Sequence, residues 1–312
     1  MARIFVEGWS ADYGAPLDTD ETLAPAEGSV DEEVETADWR PIDGSDDGID
    51  RVTFVDGVRR IEAHLIVDDP VAGPVPGLAG TFGVGAVTWD RTVPRSEIVA
   101  ERIERWAVLS GGRSESFPDV DLEPGYETMT THDPDPSAPL RALHSAMRRA
   151  EGHLAAAIGE EGFVVADGPL SELAARPVVG YVKSHRVAYL SKERGGVLAA
   201  LGPGQRTPLF SFGGYARYSW YLRLATVADG HSWSGIVRCE AASALAIGEV
   251  IRLADRTAAL LPILASEAHV DPRAPQNLVP IAGLERTLRH RMGDPALVHR
   301  RLREAAQERR AS

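Results

Sequence analysis

Hydrophobic positions recur with two different periods along this chain. Apolar residues at three- and four-residue steps, from Leu140 through Leu143 and Met147 to Ile158, predict an amphipathic helix over 139–158. Compact apolar runs and alternating runs predict strands instead. The predicted strands are 3–7, 51–67, 82–89, 107–109, 163–166, 177–182, 209–212, 216–224 and 234–240, and further helices are predicted over 188–201, 242–263, 277–291 and 295–307. This order predicts an α/β fold, a mixed sheet flanked by helices, rather than a regular βαβ series.

Composition divides the chain into two parts. Residues 1–50 form an acidic segment, in which 11–50 is rich in Pro, Gly and carboxylates and has no period, so we expect a partly mobile loop there. Residues 51–312 carry the predicted sheet and helices and form the predicted functional domain. The stretch 286–310 is rich in arginine, so the net charge of −13 conceals segments of opposite sign.

Other bulk features limit the class of protein. No apolar run reaches the ~20 residues that a membrane-spanning helix needs, and the first residues lack the pattern of a signal peptide. The single cysteine, Cys239, excludes an internal disulfide and a structural zinc cage built from cysteines. We therefore expect a cytoplasmic protein with no membrane association.

Three carboxylates occupy positions where an acid needs an explanation. Asp56 and Asp167 each follow an apolar run and precede a glycine, which places both at the expected carboxyl ends of buried strands. Glu151 lies on the apolar stripe of the first predicted helix, where an unpaired carboxylate is costly. A hard divalent cation such as Mg²⁺ or Mn²⁺ removes the repulsion between converging carboxylates and can activate water for phosphodiester cleavage. These acids therefore indicate a possible acidic metal site.

Simpler interpretations of the same residues stay open at this point. Asp-Gly is a common turn dipeptide, so Asp56 can belong to a hairpin turn rather than to one long strand, and Asp167 to an ordinary turn. Glu151 can lean outward and pair with Arg148 or Arg149.

The order and spacing of the motifs resemble the NurA nuclease family. FVDGVRRIEAHL is similar to the first family motif, a strand that ends in Asp-Gly, and VVADGPLS is similar to the second. Glu151 precedes this second motif at the family's spacing for a helix-borne Glu. VVGYVKSHRVAYL is similar to the segment that carries a Lys after the next strand, here Lys183. GIVRCE carries Arg238 and Glu240 at the family's Arg-x-Glu position.

This resemblance implies a ribonuclease H-like core with extra strands and C-terminal helices, and an enzyme that cuts DNA with Mn²⁺ or Mg²⁺. It implies Asp56, Glu151 and Asp167 as catalytic metal ligands. It places Lys183 near the scissile phosphate or a carboxylate, although a solvated loop lysine is the alternative. It also implies a homodimer that works with a HerA-like hexameric ATPase in DNA end processing, repair or defence. The chain has no P-loop motif of its own, which agrees with a nuclease that borrows a motor.

Candidate DNA contacts lie on the predicted strand 216–224 and on the strand after it. Cations and aromatic rings that alternate on one strand face can line a nucleic-acid channel. The candidates are Arg217, Tyr221, Arg223 and Arg238. An ordinary amphipathic strand is the alternative interpretation.

The chain departs from the family pattern at two positions. Val58 stands where the family usually has Ser, and no His occupies the family's late position. The polar residues nearest to that position are Gln276, Asn277 and His269. These departures motivate a second hypothesis, a catalytically silent NurA-like subunit that binds and regulates an ATPase ring. A serine hydrolase built on Ser232 is a third, because GHSWSG nearly matches a nucleophile elbow.

Overall fold

The described part of the chain covers most of the predicted functional domain. A computed structural model describes residues 3–6, 30–69, 73–93, 95–113, 117–160, 162–170, 176–183, 189–212, 215–227, 233–267, 269 and 274–311. Residues 7–29, which include the first half of the predicted acidic loop, and Ser232 lie outside the described residues.

Strands dominate the described residues up to Ala242, with two α-helices among them, and helices follow from Ile247 onward. The strands are β1 Arg3–Val6, β2 Val30–Asp31, β3 Ile42–Asp43, β4 Arg51–Asp69, β5 Gly73–Asp90, β6 Arg95–Leu109, β7 Tyr126–Thr130, β8 Val164–Asp167, β9 Val178–Val182, β10 Gln205–Arg206, β11 Phe210–Phe212, β12 Tyr215–Arg223 and β13 Ile236–Ala242. The α-helices are α1 Ala138–Ile158, α2 Lys192–Ala200, α3 Ile247–Leu260, α4 Val279–Arg291 and α5 Pro295–Ala311.

These strands form a mixed sheet in the order β2-β11-β12-β13-β9-β8-β4-β5-β6-β7, with β1 beside β4 and β10 beside β12 and β3. Strands β4, β5 and β6 are antiparallel neighbours. After α1 the chain returns as β8, which is parallel to β4, and β9 is parallel to β8. Strands β13, β12 and β11 continue the sheet in antiparallel order. The predicted mixed α/β sheet is confirmed.

Helices cover both faces of the sheet. On one face, α1 packs Leu143 and Met147 against Phe82 of β5. On the other face, a larger core joins Phe54 of β4 to Leu284 of α4 and to residues of α3. Because neighbouring residues of a strand point to opposite faces, the two sides of β4 and β5 serve different helices. None of the described helices is both long enough and apolar enough to cross a membrane.

The region predicted as one strand or a hairpin is one strand. β4 runs unbroken for 19 residues, and β5 pairs with it from Arg51 opposite Asp90 to Asp69 opposite Gly73. The hairpin alternative for Asp56 is therefore wrong, and so is the expectation that this residue ends a strand. Long-range pairing with β5 outweighs the local turn preference of Asp-Gly.

The described half of the acidic segment is also more ordered than the predicted loop. β2 pairs with β11 and β3 pairs with β10, so both strands extend the main sheet. The Glu35 carboxylate accepts two hydrogen bonds of 2.9 Å from Arg206, whose guanidinium is buried and also pairs with Asp255 at 2.7 Å. Strands of two residues carry no readable period, and the partners that hold them are distant in sequence.

Candidate metal centre

Three carboxylates from separate elements converge between the sheet and α4. Asp56 lies within β4, Asp167 ends β8 and Glu285 lies on α4. One oxygen from each lies within 4.8 Å of the others. Asp56 and Glu285 are buried, and Asp167 is partly buried.

The parallel pairing of β4 with β8 explains why the two aspartates meet. The last paired residues are Val55 and Ala166, so Asp56 and Asp167 come next at the same level. There β8 ends in Gly168, which has a φ of 82° and turns the chain away, while β4 continues against β5. The predicted carboxyl-end position is correct for Asp167. Asp56 lies beside an equivalent opening because β8, which pairs with the preceding residues of β4, ends there.

Glu285 is a site residue that the sequence motifs did not indicate. It lies on the face of α4 that carries the buried residues Ile281, Leu284 and Leu288. The helix lies close to β5, because a side-chain carbon at Gly85 would lie 2.9 Å from Leu284 Cδ1. An acid on a buried helical stripe is the same signal that singled out Glu151, and it could have identified Glu285 as well.

The carboxyl group of Asp56 has the least ordinary surroundings of the three. Its Oδ1 accepts a 2.7 Å hydrogen bond from Gly57 N, whereas its buried Oδ2 has no hydrogen-bond partner among the described residues. Burial raises the pKa of this carboxyl well above its ordinary value, and the charge of Asp167 adds to the rise while Lys183 opposes it. An acid in this position is costly to ionise unless a further cation approaches it.

Lys183 lies beside the carboxylates, which is one of the two positions predicted for it. Its Nζ donates to Asp167 Oδ2 at 2.7 Å and to Asn277 Oδ1 at 3.0 Å. Burial opposes the charge on the ammonium, but Asp167 and Asp56 outweigh that effect and raise the pKa of Lys183. The alternative of a solvated loop lysine is wrong.

The residues considered for the missing late His have other environments. Asn277 is fully buried and accepts from Lys183. The backbone carbonyl of Gln276 accepts from the Tyr181 hydroxyl at 2.7 Å. His269 is exposed and pairs with Glu267. Glu285, rather than any of these three, supplies the third member of the acidic group.

Glu151 lies beside this group, on the other side of β4. It is buried on α1, and a side chain at Gly57 would collide with its Oε1. Its Oε2 accepts a 2.8 Å hydrogen bond from Arg148. Burial raises the pKa of Glu151 to about 7, with Arg148 opposing the rise and Asp167 adding to it. Glu151 is therefore coupled to the acidic group by charge, without belonging to the set of oxygens within 4.8 Å.

The predicted DNA-contact face is mostly closed. Tyr221 is fully buried and stacks on Phe210 at 5.6 Å between ring centroids. Arg223 and Arg238 are buried and donate hydrogen bonds within the chain. Arg217 has 23% of its side chain exposed. The alternation placed Arg217, Tyr221 and Arg223 on a common side. Tyr221, Arg223 and Arg238 have little exposed surface in this structure, and the DNA-contact role stays a prediction.

The acidic group fits a divalent cation by three criteria. Its three donors are carboxylate oxygens, which hard ions such as Mg²⁺ and Mn²⁺ prefer. The buried Asp56 Oδ2 without a partner is an acceptor that an ion would satisfy. Like charges from separate elements converge within 4.8 Å, an arrangement that the Lys183 ammonium and the Arg289 guanidinium, which donates to Glu285 at 3.0 Å, offset only in part.

Comparisons with known proteins give matches among solved structures. No family model matches the chain, and no curated protein does. Among solved structures, the chain is similar to the NurA nuclease from Sulfolobus solfataricus, with 11% sequence identity, coverage of 78% of this chain and 81% of that chain, and a TM-score of 0.43.

Proposed function

We propose that this protein is a metal-dependent nuclease that hydrolyses phosphodiester bonds in DNA. The observation that carries the proposal is the convergence of Asp56, Asp167 and Glu285 around a buried carboxylate oxygen without a partner. Buried acids that repel one another reduce stability, so a ligand that requires them is the most direct explanation.

The donor set supports Mg²⁺ or Mn²⁺ as the ion. Asp56, Asp167 and Glu285 would hold it, with Glu151 as a fourth carboxylate beside them. Three carboxylates without a histidine or a thiolate favour a hard ion over zinc or copper. When bound, such an ion lowers the pKa of water and polarises a phosphate oxygen. Glu285 supplies a carboxylate in a site that lacks the family's late His, and this supports the active enzyme over the silent subunit.

Other residues of the chain would prepare the site for a phosphate. Lys183 holds the Asp167 carboxylate through a 2.7 Å hydrogen bond and brings a positive charge to a pocket of acids. That ammonium would stabilise negative charge that develops on a phosphate during cleavage. Burial of Asp56 and Glu285 keeps their carboxylates away from bulk water, which strengthens their interaction with a cation.

The strand order also supports a ribonuclease H-like core. The chain forms three antiparallel strands, β4, β5 and β6, and after α1 it adds the parallel strands β8 and β9. The resulting order, β6-β5-β4-β8-β9, is typical of ribonuclease H-like folds. A homodimer and a partnership with a HerA-like ATPase, drawn from the sequence resemblance, stay predictions.

A cleavage assay with matched variants tests the proposal. The parent is incubated with linear DNA and Mn²⁺, with EDTA as the metal-free control. Asp56→Asn and Asp167→Asn should each reduce cleavage on the order of 100-fold, because each removes a metal ligand. Asp119→Asn, a change at an exposed acid, should leave cleavage unchanged.

The possible failures have different meanings. Unchanged cutting in both site variants would refute this site as the source of activity. A parent that binds Mn²⁺ but does not cut, alone or with a HerA-like ATPase, would support the silent subunit instead.

A further inference from the structure

The loop that carries Asp167 is held from two sides by residues that are not part of the acidic group. β8 ends at Asp167, and residues 168–170 leave the sheet through Gly168. We infer that Arg148 of α1 and Glu240 of β13 are positioning residues for the metal site, because together they fix the backbone of this loop. The inference rests on the proposed function for its chemical consequence.

Arg148 binds the loop and the neighbouring acid with one guanidinium. Its Nη1 donates to the Asp167 carbonyl at 2.9 Å and to Glu151 Oε2 at 2.8 Å, and its Nη2 donates to the Pro169 carbonyl. A side-chain carbon at Gly168 would lie 2.8 Å from Nη1, so the glycine also makes room for this approach. A planar guanidinium can make several such bonds in fixed directions, whereas an ammonium cannot reproduce that geometry.

Glu240 holds the other end of the loop. Its Oε1 accepts a 2.8 Å hydrogen bond from Leu170 N, and its Oε2 accepts a 2.6 Å hydrogen bond from Arg238. Glu240 is 3% exposed, so it is fixed by the sheet rather than by solvent. Gly180 leaves the space it needs, since a side-chain carbon there would lie 2.9 Å from Glu240 Cγ. The Arg-x-Glu pair of β13 is thereby connected to the metal site.

The two contacts have a common consequence for the acids. The carbonyl of Asp167 is held by Arg148, and its carboxylate is held by Lys183, so both ends of this residue are restrained. Arg148 also links Glu151 to the same loop, which ties the acid on α1 to the acid on β8. Removal of partners of this kind commonly changes metal affinity by about 10- to 100-fold.

Metal titration of the intact chain tests this inference. The variants are Arg148→Met, which removes every donor, and Arg148→Lys, which keeps the charge beside Glu151 but cannot hold both carbonyls. Arg149→Met is the matched control, because this adjacent arginine is exposed. Calorimetry with Mn²⁺ should show the dissociation constant raised about tenfold or more in both Arg148 variants and unchanged in the control. A lysine variant that restores parental affinity would show that only charge matters, and would overturn the positioning role.

Glu240→Gln tests the second contact. Leu170 N and Arg238 donate to different oxygens of Glu240, and glutamine places a donating NH₂ group at one of these two positions, so one of the two contacts is lost. We expect weaker Mn²⁺ binding by about tenfold and faster hydrogen exchange at the Leu170 amide. Equal Mn²⁺ affinity in the parent and in both Arg148→Met and Glu240→Gln would overturn the inference.

Hydrogen exchange separates this inference from the proposed function. If the parent binds no Mn²⁺, the metal site is refuted, but exchange at the Gly168 and Leu170 amides still reports whether the loop is held. Faster exchange in Arg148→Met than in Arg149→Met would then support the restraint of the loop. Equal exchange in the two variants would overturn it. The melting temperature of each variant, measured with EDTA, verifies that the chain is folded.

Discussion

Replacing Asp56 with asparagine should stabilise the metal-free protein and abolish its stabilisation by Mn²⁺. Asp56 is 5% exposed, and its Oδ2 has no hydrogen-bond partner among the described residues. Burial and the charge of Asp167 raise the pKa of its carboxyl well above the ordinary value. An acid with a raised pKa destabilises the folded state increasingly as pH rises above the ordinary value, because the unfolded chain ionises more readily. Asparagine cannot ionise, so this penalty disappears.

The magnitude follows from the linkage between proton binding and stability. Each tenfold change in proton affinity between the folded and unfolded states corresponds to about 1.4 kcal/mol, so the raised pKa of Asp56 gives Asp56→Asn a stability gain that grows as the pH rises above the ordinary value of a carboxyl. For a chain of this size, each kcal/mol of that gain raises the melting temperature by roughly 2 °C. Mn²⁺ at about 100 times its dissociation constant should stabilise the parent by about 2.7 kcal/mol. Mn²⁺ should therefore raise the stability of the parent relative to Asp56→Asn, which lacks the ligand.

Thermal melting with EDTA and with Mn²⁺ measures both effects. Glu62→Gln is the control, because Glu62 is equally buried but accepts from Thr81 at 2.7 Å and pairs with Arg60 at 2.9 Å. In that satisfied network, loss of the carboxylate should destabilise by about 1–3 kcal/mol. A lower melting temperature for Asp56→Asn in EDTA, or equal Mn²⁺ stabilisation of Asp56→Asn and the parent, would refute the reasoning.

Four further changes test other parts of the structure. Glu285→Gln should weaken Mn²⁺ binding about tenfold or more in calorimetry while the chain stays folded, and unchanged affinity would exclude this residue as a ligand. Burial raises the pKa of Glu151 to about 7 from its ordinary 4.5, so the free energy of unfolding of the metal-free protein should fall by about 3 kcal/mol between pH 4.5 and pH 7. Denaturant titration of Glu151→Gln should show a smaller fall. Lys183→Met should reduce the rate of DNA cleavage more than Mn²⁺ affinity, measured by single-turnover kinetics alongside calorimetry; the reverse order would contradict a role toward phosphate. Glu35→Gln should lower stability by about 3 kcal/mol, because it weakens the pair with the buried Arg206, and an unchanged denaturation midpoint would contradict that.

Local patterns predicted the elements that carry one side of the site. The helical period over 139–158 identified α1, and the apolar run before Asp167 identified β8. Both signals are strong because burial of one helix face or of a whole short strand leaves a clear mark on the sequence. The same patterns could not decide between a turn and a continuous strand at Asp56. That choice depends on pairing with β5, which runs through both sides of the Asp-Gly dipeptide.

The expectation about the late part of the site failed for a different reason. The family resemblance directed attention to a missing His, whereas the chain supplies Glu285 from the buried face of α4. Alternation on β12 correctly grouped Arg217, Tyr221 and Arg223, but it could not show whether that face is open. Arg223 donates to the carbonyls of Leu198 and Leu201, in and just after α2, so an earlier part of the chain closes the face. Coverage of this kind is a tertiary property that a strand pattern does not contain.

The acidic group is better explained by a ligand than by the stability of the fold. Glu62 and Glu35 are acids whose oxygens are matched by guanidinium and hydroxyl or amide donors. At the candidate metal centre, in contrast, the Lys183 ammonium and the Arg289 guanidinium face three carboxylates, and Asp56 Oδ2 has no partner among the described residues. Because Glu62 and Glu35 have hydrogen-bond partners, the stability of the fold does not explain why Asp56 Oδ2 lacks one in the described part of the chain. A bound cation would neutralise the carboxylates and give Asp56 Oδ2 a partner. The contacts that restrain Asp167 would fix its oxygens in position for that ion.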